Sequence, residues 1–227
     1  MEQLTEKYNT LWSASLKGFK ANDFTLDPKV LLSSDHRRGL SLVAKISGDV
    51  STSIFDLLEK AKAIEPEQYY YSSNELHLTI LSLISCSEHF VLADINVDDY
   101  LVVLEEALKD IAPFLVHFNG LTASSSCVML QGFPANNTLL NIRNNLRAAF
   151  SKTNLRQTID QRYVIDTAHS TVIRFSCPMA NNHKFIELLE QFRGQDFGIL
   201  PIKELHLVYN DWYHKEDKTI VLSKIKL

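Results

Sequence analysis

Apolar and polar residues alternate along Leu40-Ser41-Leu42-Val43-Ala44-Lys45-Ile46, between Gly39 and Gly48, and this period of two predicts a strand over 40–46. The spacing then becomes helical, with Ile54, Leu57, Leu58, Ala61 and Ile64 on one side, Thr52 or Ser53 placed to cap the helix and Glu65-Pro66 to end it. A second strand is predicted over 75–84. Tyr100, Leu101, Leu104, Leu108 and Ile111 mark a helix over 97–111, which Pro113 stops. Residues 114–121 and 127–133 read as two strands joined by a Thr/Ala/Ser turn, a hairpin. A helix over 138–151 and a strand over 169–175 follow. The remainder predicts a helix over 182–192 and strands at 197–200, 204–209 and 219–226. Residues 1–20 show a helical pattern and 22–38 are polar, so 1–38 is expected as an arm ahead of a main domain over 39–227.

Strand, helix and strand follow one another over 39–84 and again over 127–175. The last strand of each set carries the same short pattern, His77-Leu78-Thr79-Ile80 and His169-Ser170-Thr171-Val172, 92 positions apart. A weak internal repeat of this kind predicts an α+β fold of two similar lobes, each presenting its motif strand to a common central cleft. No Gly/Ser-rich linker separates the lobes.

On an extended strand His77 shares a face with Thr79, and His169 with Thr171, so the cleft would receive two imidazoles and two hydroxyls. An imidazole can take or give a proton near neutral pH. Two of them suit chemistry that needs a base and an acid on opposite sides of one phosphorus. The other six histidines (His36, His89, His117, His183, His206, His214) lack a threonine two positions on, so the pattern does not follow from histidine abundance. His206 is informative: Glu204-Leu205-His206-Leu207 repeats Glu75-Leu76-His77-Leu78 but continues to Val208, and it reads as structural.

Composition narrows the field. With 23 Lys and Arg against 27 Asp and Glu the net charge is −4, which excludes a general nucleic-acid binder with a global basic field. Residues 141–176 are locally basic, however, and Arg143 and Arg147 fall on one helix face suited to a phosphate chain. Tyr70 and Tyr71, just ahead of the first motif strand, are candidates for stacking on a base. Phe133 is expected in the core. Seven glycines leave no Gly-rich phosphate loop, no Gly-x-Ser-x-Gly turn is present, and no pair of His or Cys at ligand spacing supports a zinc site. The three cysteines sit apart in or beside apolar runs, as in a reduced intracellular protein. The first residues lack a signal-peptide core and no run reaches membrane-spanning length, so a cytoplasmic protein with no membrane partner is expected.

The two His-x-Thr-x motifs, their spacing and the element order from about residue 39 onward resemble the two-histidine (2H) phosphoesterase superfamily, in its 2′-5′ RNA ligase-like and cyclic phosphodiesterase branch. The resemblance implies a pseudo-two-fold fold of two antiparallel sheets with flanking helices. It implies a metal-independent, cofactor-free enzyme acting on 2′,3′-cyclic phosphate or 2′-5′ phosphodiester bonds of RNA ends or small cyclic nucleotides. In such an enzyme His77 and His169 act as acid and base, Thr79 and Thr171 hold the non-bridging oxygens, and a monomer is expected. In that branch an arginine often stands five residues after the second histidine, where this chain has Arg174. Strand parity puts Arg174 on the face opposite His169 unless a bulge intervenes. The branch also commonly closes its first motif strand with a glycine, whereas here Leu81-Ser82-Leu83-Ile84 runs on. Two alternatives remain open at this stage: a module that binds RNA termini with little chemistry, and a ligase running the reverse reaction.

Overall fold

A computed structural model describes residues 2–227. In chain order the elements are α1 (Glu2–Lys20), β1 (Arg38–Lys45), α2 (Gly48–Ile64), β2 (Tyr69–Tyr70), β3 (His77–Ser87), α3 (Val97–Leu108), β4 (Phe114–Ser124), β5 (Cys127–Pro134), α4 (Thr138–Phe150), β6 (Ser170–Arg174), α5 (Asn182–Gln191), β7 (Asp196–Ile202), β8 (Glu204–Asp211) and β9 (Ile220–Lys226). They build two antiparallel sheets, β3-β1-β8-β9 and β2-β6-β5-β4-β7. Each sheet holds one motif segment, the α+β bilobed arrangement expected from the repeat.

The apolar pattern explains most of the placement. β1 is buried over its six central residues because it lies between β3 and β8. β9 closes the first sheet as an edge, and its Ile220 and Val221 stay exposed. α2 packs against α5, and α3 against α4. One continuous core runs through both lobes, with Phe19, Phe175 and Phe185 meeting edge to face. No described helix is long and apolar enough to cross a membrane.

Two local expectations are corrected. α2 begins at Gly48, after Ser47, rather than at a Thr52 or Ser53 cap. Thr52 and Ser53 lie inside the helix, where their hydroxyls donate back to the Gly48 and Asp49 carbonyls. The segment expected as an arm is also packed into the molecule. α1 lies on β4, burying Tyr8, Trp12 and Phe19, and Ser15 donates to the Ala123 carbonyl (2.8 Å). The Tyr8 hydroxyl donates to the Gly132 carbonyl (3.2 Å) and accepts from the Ala168 amide (3.0 Å), and Lys7 pairs with Asp166. α1 therefore fastens the chain immediately ahead of His169 to β5.

Gly132 makes that approach possible. A Cβ there would lie 2.0 Å from the Ala168 carbonyl oxygen, so only glycine lets β5 and residue 168 come so close. Gly132→Ala is expected to push the His169 segment outward at a cost of about 2–3 kcal/mol. That cost would read as a thermal midpoint lower by roughly 5–10 °C, and an unchanged midpoint would refute the tight approach.

Candidate active site

The two motif segments are built alike. In the pairing of β1 with β3, Val43 faces Thr79 and Leu42 faces Leu81, which leaves Ile80 as an extra residue. In the pairing of β5 with β6, Met129 faces Thr171 and Val128 faces Ile173, which leaves Val172 extra. Each strand therefore bulges just after its threonine, and the bulge resets the alternation of faces. Residues 77, 79 and 82 are part-exposed while 78, 80 and 81 are buried; 169, 171 and 174 are part-exposed while 170, 172 and 173 are buried. The bulge is the condition under which Arg174 shares a face with His169, and Ser82 is its counterpart on the other strand.

His77, Thr79, Ser82, His169, Thr171 and Arg174 all line one cavity of about 580 Å³ between the sheets. Nδ1 of His77 lies 2.6 Å from the Glu75 carbonyl oxygen. A carbonyl only accepts, so Nδ1 carries the proton and Nε2 is left as a bare lone pair. Nδ1 of His169 lies 2.7 Å from the Thr167 hydroxyl, which can donate or accept and leaves either tautomer open. Burial pulls both imidazoles down to about 4. For His77 the positive charge of Lys45 adds to the effect. For His169, Arg143 adds to it and Asp166 opposes it. Neither the Thr79 nor the Thr171 hydroxyl bonds to another described residue.

Tyr71 and Arg174 meet at the cavity wall. Tyr71 is buried beside the Arg174 guanidinium, which also lies 3.5 Å from Asp27 and 5.3 Å from the Tyr213 ring centre. Its Nε is buried with no described partner.

Tyr70, Arg143 and Arg147 are placed differently from their sequence expectations. The Tyr70 hydroxyl donates to the Glu65 carbonyl (2.7 Å), and its ring is not part of the cavity. Arg143 is only 3% exposed and donates to three carbonyls: Ile80 (2.8 Å) and Thr79 (3.0 Å) of the first motif, and Thr167 (2.8 Å) beside the second. It ties the two motif backbones together. Arg147 grips Asp160 (2.5 and 3.1 Å) and the Ile165 carbonyl (3.2 Å), bracing the loop before His169. The helix face they share turns inward, because the loop over residues 151–169 folds back across α4. Phe133 packs edge-on against Tyr8.

Sequence reasoning missed Trp212, His214, Arg162 and Tyr8, all of which line the same cavity. Trp212 and His214 belong to the turn from β8 to β9, built by Asp211, whose Oδ1 accepts from the Tyr213 (3.2 Å) and Lys215 (2.8 Å) amides. The signal available was Asn210-Asp211, a turn opener, followed by two aromatic residues and a histidine where polar residues are usual. The Arg162 guanidinium lies 4.1 Å from the Trp212 ring centre. Among the described residues no three His, Cys, Asp or Glu side chains converge as metal ligands would.

No family model matches this sequence, and no curated protein does. Solved structures match it in three dimensions. TT0787 of Thermus thermophilus superposes with a TM-score of 0.60 at 18% identity, over 83% of this chain and 97% of its own. E. coli LigT complexed with 3′-AMP gives 0.58 at 15%, over 84% and 98%. A structure described as a phosphoesterase gives 0.55 at 15%, over 84% and 98%. At such identities the likeness is one of fold, and the chain has the fold of TT0787 and of LigT: two antiparallel sheets facing each other across one cavity.

Proposed function

We propose that this protein is a two-histidine phosphoesterase that acts on 2′,3′-cyclic phosphate or 2′-5′ phosphodiester bonds of RNA ends or nucleotides. One observation carries the reading. Two bulged strands present a histidine, a threonine and a third polar residue in the same order to one cavity, from two sheets. E. coli LigT, whose fold it shares, was solved with 3′-AMP and with phosphate, which supports a nucleotide ligand here.

In the reaction one neutral imidazole takes the proton of the attacking hydroxyl or water as its oxygen bonds to phosphorus. The bond from phosphorus to the departing oxygen breaks, and that oxygen takes a proton from the other, charged imidazole. Thr79 and Thr171 donate to the two non-bridging oxygens as their charge grows. Proton exchange with solvent restores the pair. The same residues in reverse would join a cyclic phosphate to a 5′-hydroxyl. The cavity admits a nucleotide or the last units of a chain, and the Trp212–Arg162 pair offers a base a flat face at its rim.

Incubation with nucleoside 2′,3′-cyclic phosphates and 2′-5′ dinucleotides, with products assigned by phosphorus NMR, tests the proposal. A 2′-phosphate product is expected, and no turnover of any member of the panel would overturn it.

The depressed imidazoles make a second prediction. At pH 7 both are neutral in the empty site, so one must be charged as the anion enters. A phosphate charge about 4 Å away, at an effective dielectric constant near 20, is worth about 4 kcal/mol, or roughly three pKa units. That suffices to lift one imidazole from about 4 to near 7. Calorimetry of a non-hydrolysable nucleotide in buffers of different ionisation enthalpy should show uptake of between about half and one proton per ligand at pH 6–7. Binding without proton uptake would contradict the acid–base pair.

A further inference from the structure

We propose that Arg162 binds a second phosphate of the substrate, the one carried on the ribose 5′-oxygen, and that Trp212 positions it to do so. The proposal rests on the phosphoesterase reading above and narrows its substrate to nucleotides that bear a 5′-phosphate, free or at the last unit of a chain.

The charges around the cavity lead to this residue. Four carboxylate or guanidinium side chains line it: Asp160, Asp166, Arg162 and Arg174; no lysine does. Three of the four are answered by an ion pair, Asp160 by Arg147, Asp166 by Lys7 and Arg174 by Asp27. Arg162 has no carboxylate partner among the described residues. The cavity therefore carries one unanswered positive charge, at a single place.

That place is the mouth. Arg162 belongs to a short strap over residues 161–164 whose residues are all exposed, whereas His77, Thr79, His169 and Thr171 are only part-exposed. One side chain pins both ends of the strap: Arg147 pairs with Asp160 ahead of it and donates to the Ile165 carbonyl behind it (3.2 Å). Between these ties Arg162 lies over the Trp212 ring, 4.1 Å from its centre. Trp212 is held in turn, with the Arg37 guanidinium 5.6 Å from the same ring centre and Arg37 fixed by Asp35. Two residues on, the His214 ring lies against His77, with centres 4.0 Å apart and planes tilted by 31°. The turn that carries the platform thus packs on a motif histidine, which sets where Arg162 stands relative to the reacting group.

A guanidinium stacked on an indole uses its face and leaves its in-plane N–H donors free. Those edge donors match phosphate oxygens two at a time. The face turned away from Trp212 stays open to a base, so the two uses do not compete. Ribose chemistry selects which phosphate arrives there. In a nucleoside 2′,3′-cyclic phosphate the reacting phosphorus takes both the 2′ and the 3′ oxygens. Only the 5′-oxygen is left to carry another phosphate. With the reacting group between His77 and His169, a phosphate one ribose away passes beyond the threonine pair toward the mouth, where Arg162 is the cation without a partner.

Calorimetry tests this without turnover. Adenosine 3′,5′-bisphosphate should bind about tenfold tighter than adenosine 3′-phosphate near pH 7.5, where the 5′-phosphate is a dianion. Both ligands carry the same base, so the ratio isolates the 5′-phosphate. In Arg162→Ala the two should bind within about twofold of each other. Trp212→Leu keeps the guanidinium but removes its platform, and should lose most of the preference. Raising the salt from about 0.1 M to 0.5 M should shrink the preference of the unmodified protein. Equal affinity for the two ligands in the unmodified protein, or a tenfold preference that survives Arg162→Ala, would overturn the subsite. A purely structural Arg162 would weaken both ligands alike and lower the thermal midpoint with the ratio unchanged, which overturns it too. A full preference in Trp212→Leu would overturn the positioning role.

Steady-state kinetics separates this proposal from the reading beneath it. Adenosine 2′,3′-cyclic phosphate with a 5′-phosphate should be turned over with about tenfold higher kcat/KM than the same nucleotide without one, and Arg162→Ala should erase the difference. Equal kcat/KM for both in the unmodified protein leaves the phosphoesterase reading standing and removes the subsite. Turnover of neither removes the phosphoesterase reading, and the calorimetric ratio alone then decides whether Arg162 holds the second phosphate.

Discussion

Replacing either His77 or His169 by alanine should lower turnover of a nucleoside 2′,3′-cyclic phosphate by about 10²–10⁴-fold, the range a well-placed general acid or base supplies. Binding of a product-like nucleotide should weaken far less at high pH, where neither imidazole is charged, and more below pH 7, where one charged imidazole faces the phosphate. Because the two imidazoles serve one proton transfer in two halves, the double substitution should cost little more than the worse single one. A module that binds RNA termini without chemistry would have no turnover to lose. A purely structural role would instead appear as a large fall in thermal midpoint, and the part-exposed rings, facing a cavity, make that fall small. Steady-state kinetics with thermal unfolding of the same variants separates the three outcomes.

Replacing Arg143 by methionine should produce the largest loss of stability of any single change outside the aliphatic core. Its guanidinium is buried without a carboxylate partner and satisfies the carbonyls of Thr79, Ile80 and Thr167. Methionine fills similar space but takes a charged donor away from all three carbonyls. The cost is offset in part, since burying the charge is itself unfavourable and already pulls the guanidinium down to about 10. A net loss of about 3–5 kcal/mol remains. In a chain of 227 residues that is a drop of roughly 10 °C in thermal midpoint. Arg143→Lys should fall between, because one ammonium cannot span all three carbonyls. Turnover should fall in both variants, since the arginine ties the backbone of Thr79 to the chain just before His169. A midpoint within about 2 °C of the original for the methionine variant would refute the clamp.

How much of this was legible beforehand depends on the kind of signal. The motif strands were legible because His-x-Thr on an alternating apolar run constrains both element and face. The hairpin of β4 and β5 was legible from two runs and a short turn. Arg143 was not. Its helical spacing with Arg147 gives the same pattern whether that face meets solvent or the loop over 151–169, and only the path of that loop decides. His214 was hidden for a related reason. It lies in a turn 137 residues beyond His77, and nothing local to either residue announces that β8 and β9 return to the first sheet.

What the amino-acid order by itself determined is the pair of strands, the residues on their cavity faces as far as each threonine, and the α+β character of the whole. These follow from periodicity, which is a property of neighbours. Tertiary structure decided which side chains beyond the bulges reach the cavity, which arginines are consumed as backbone ties, and which imidazole is stacked upon. Those outcomes turn on contacts between segments far apart in the chain, where burial and the need to satisfy every enclosed polar group outweigh local preference.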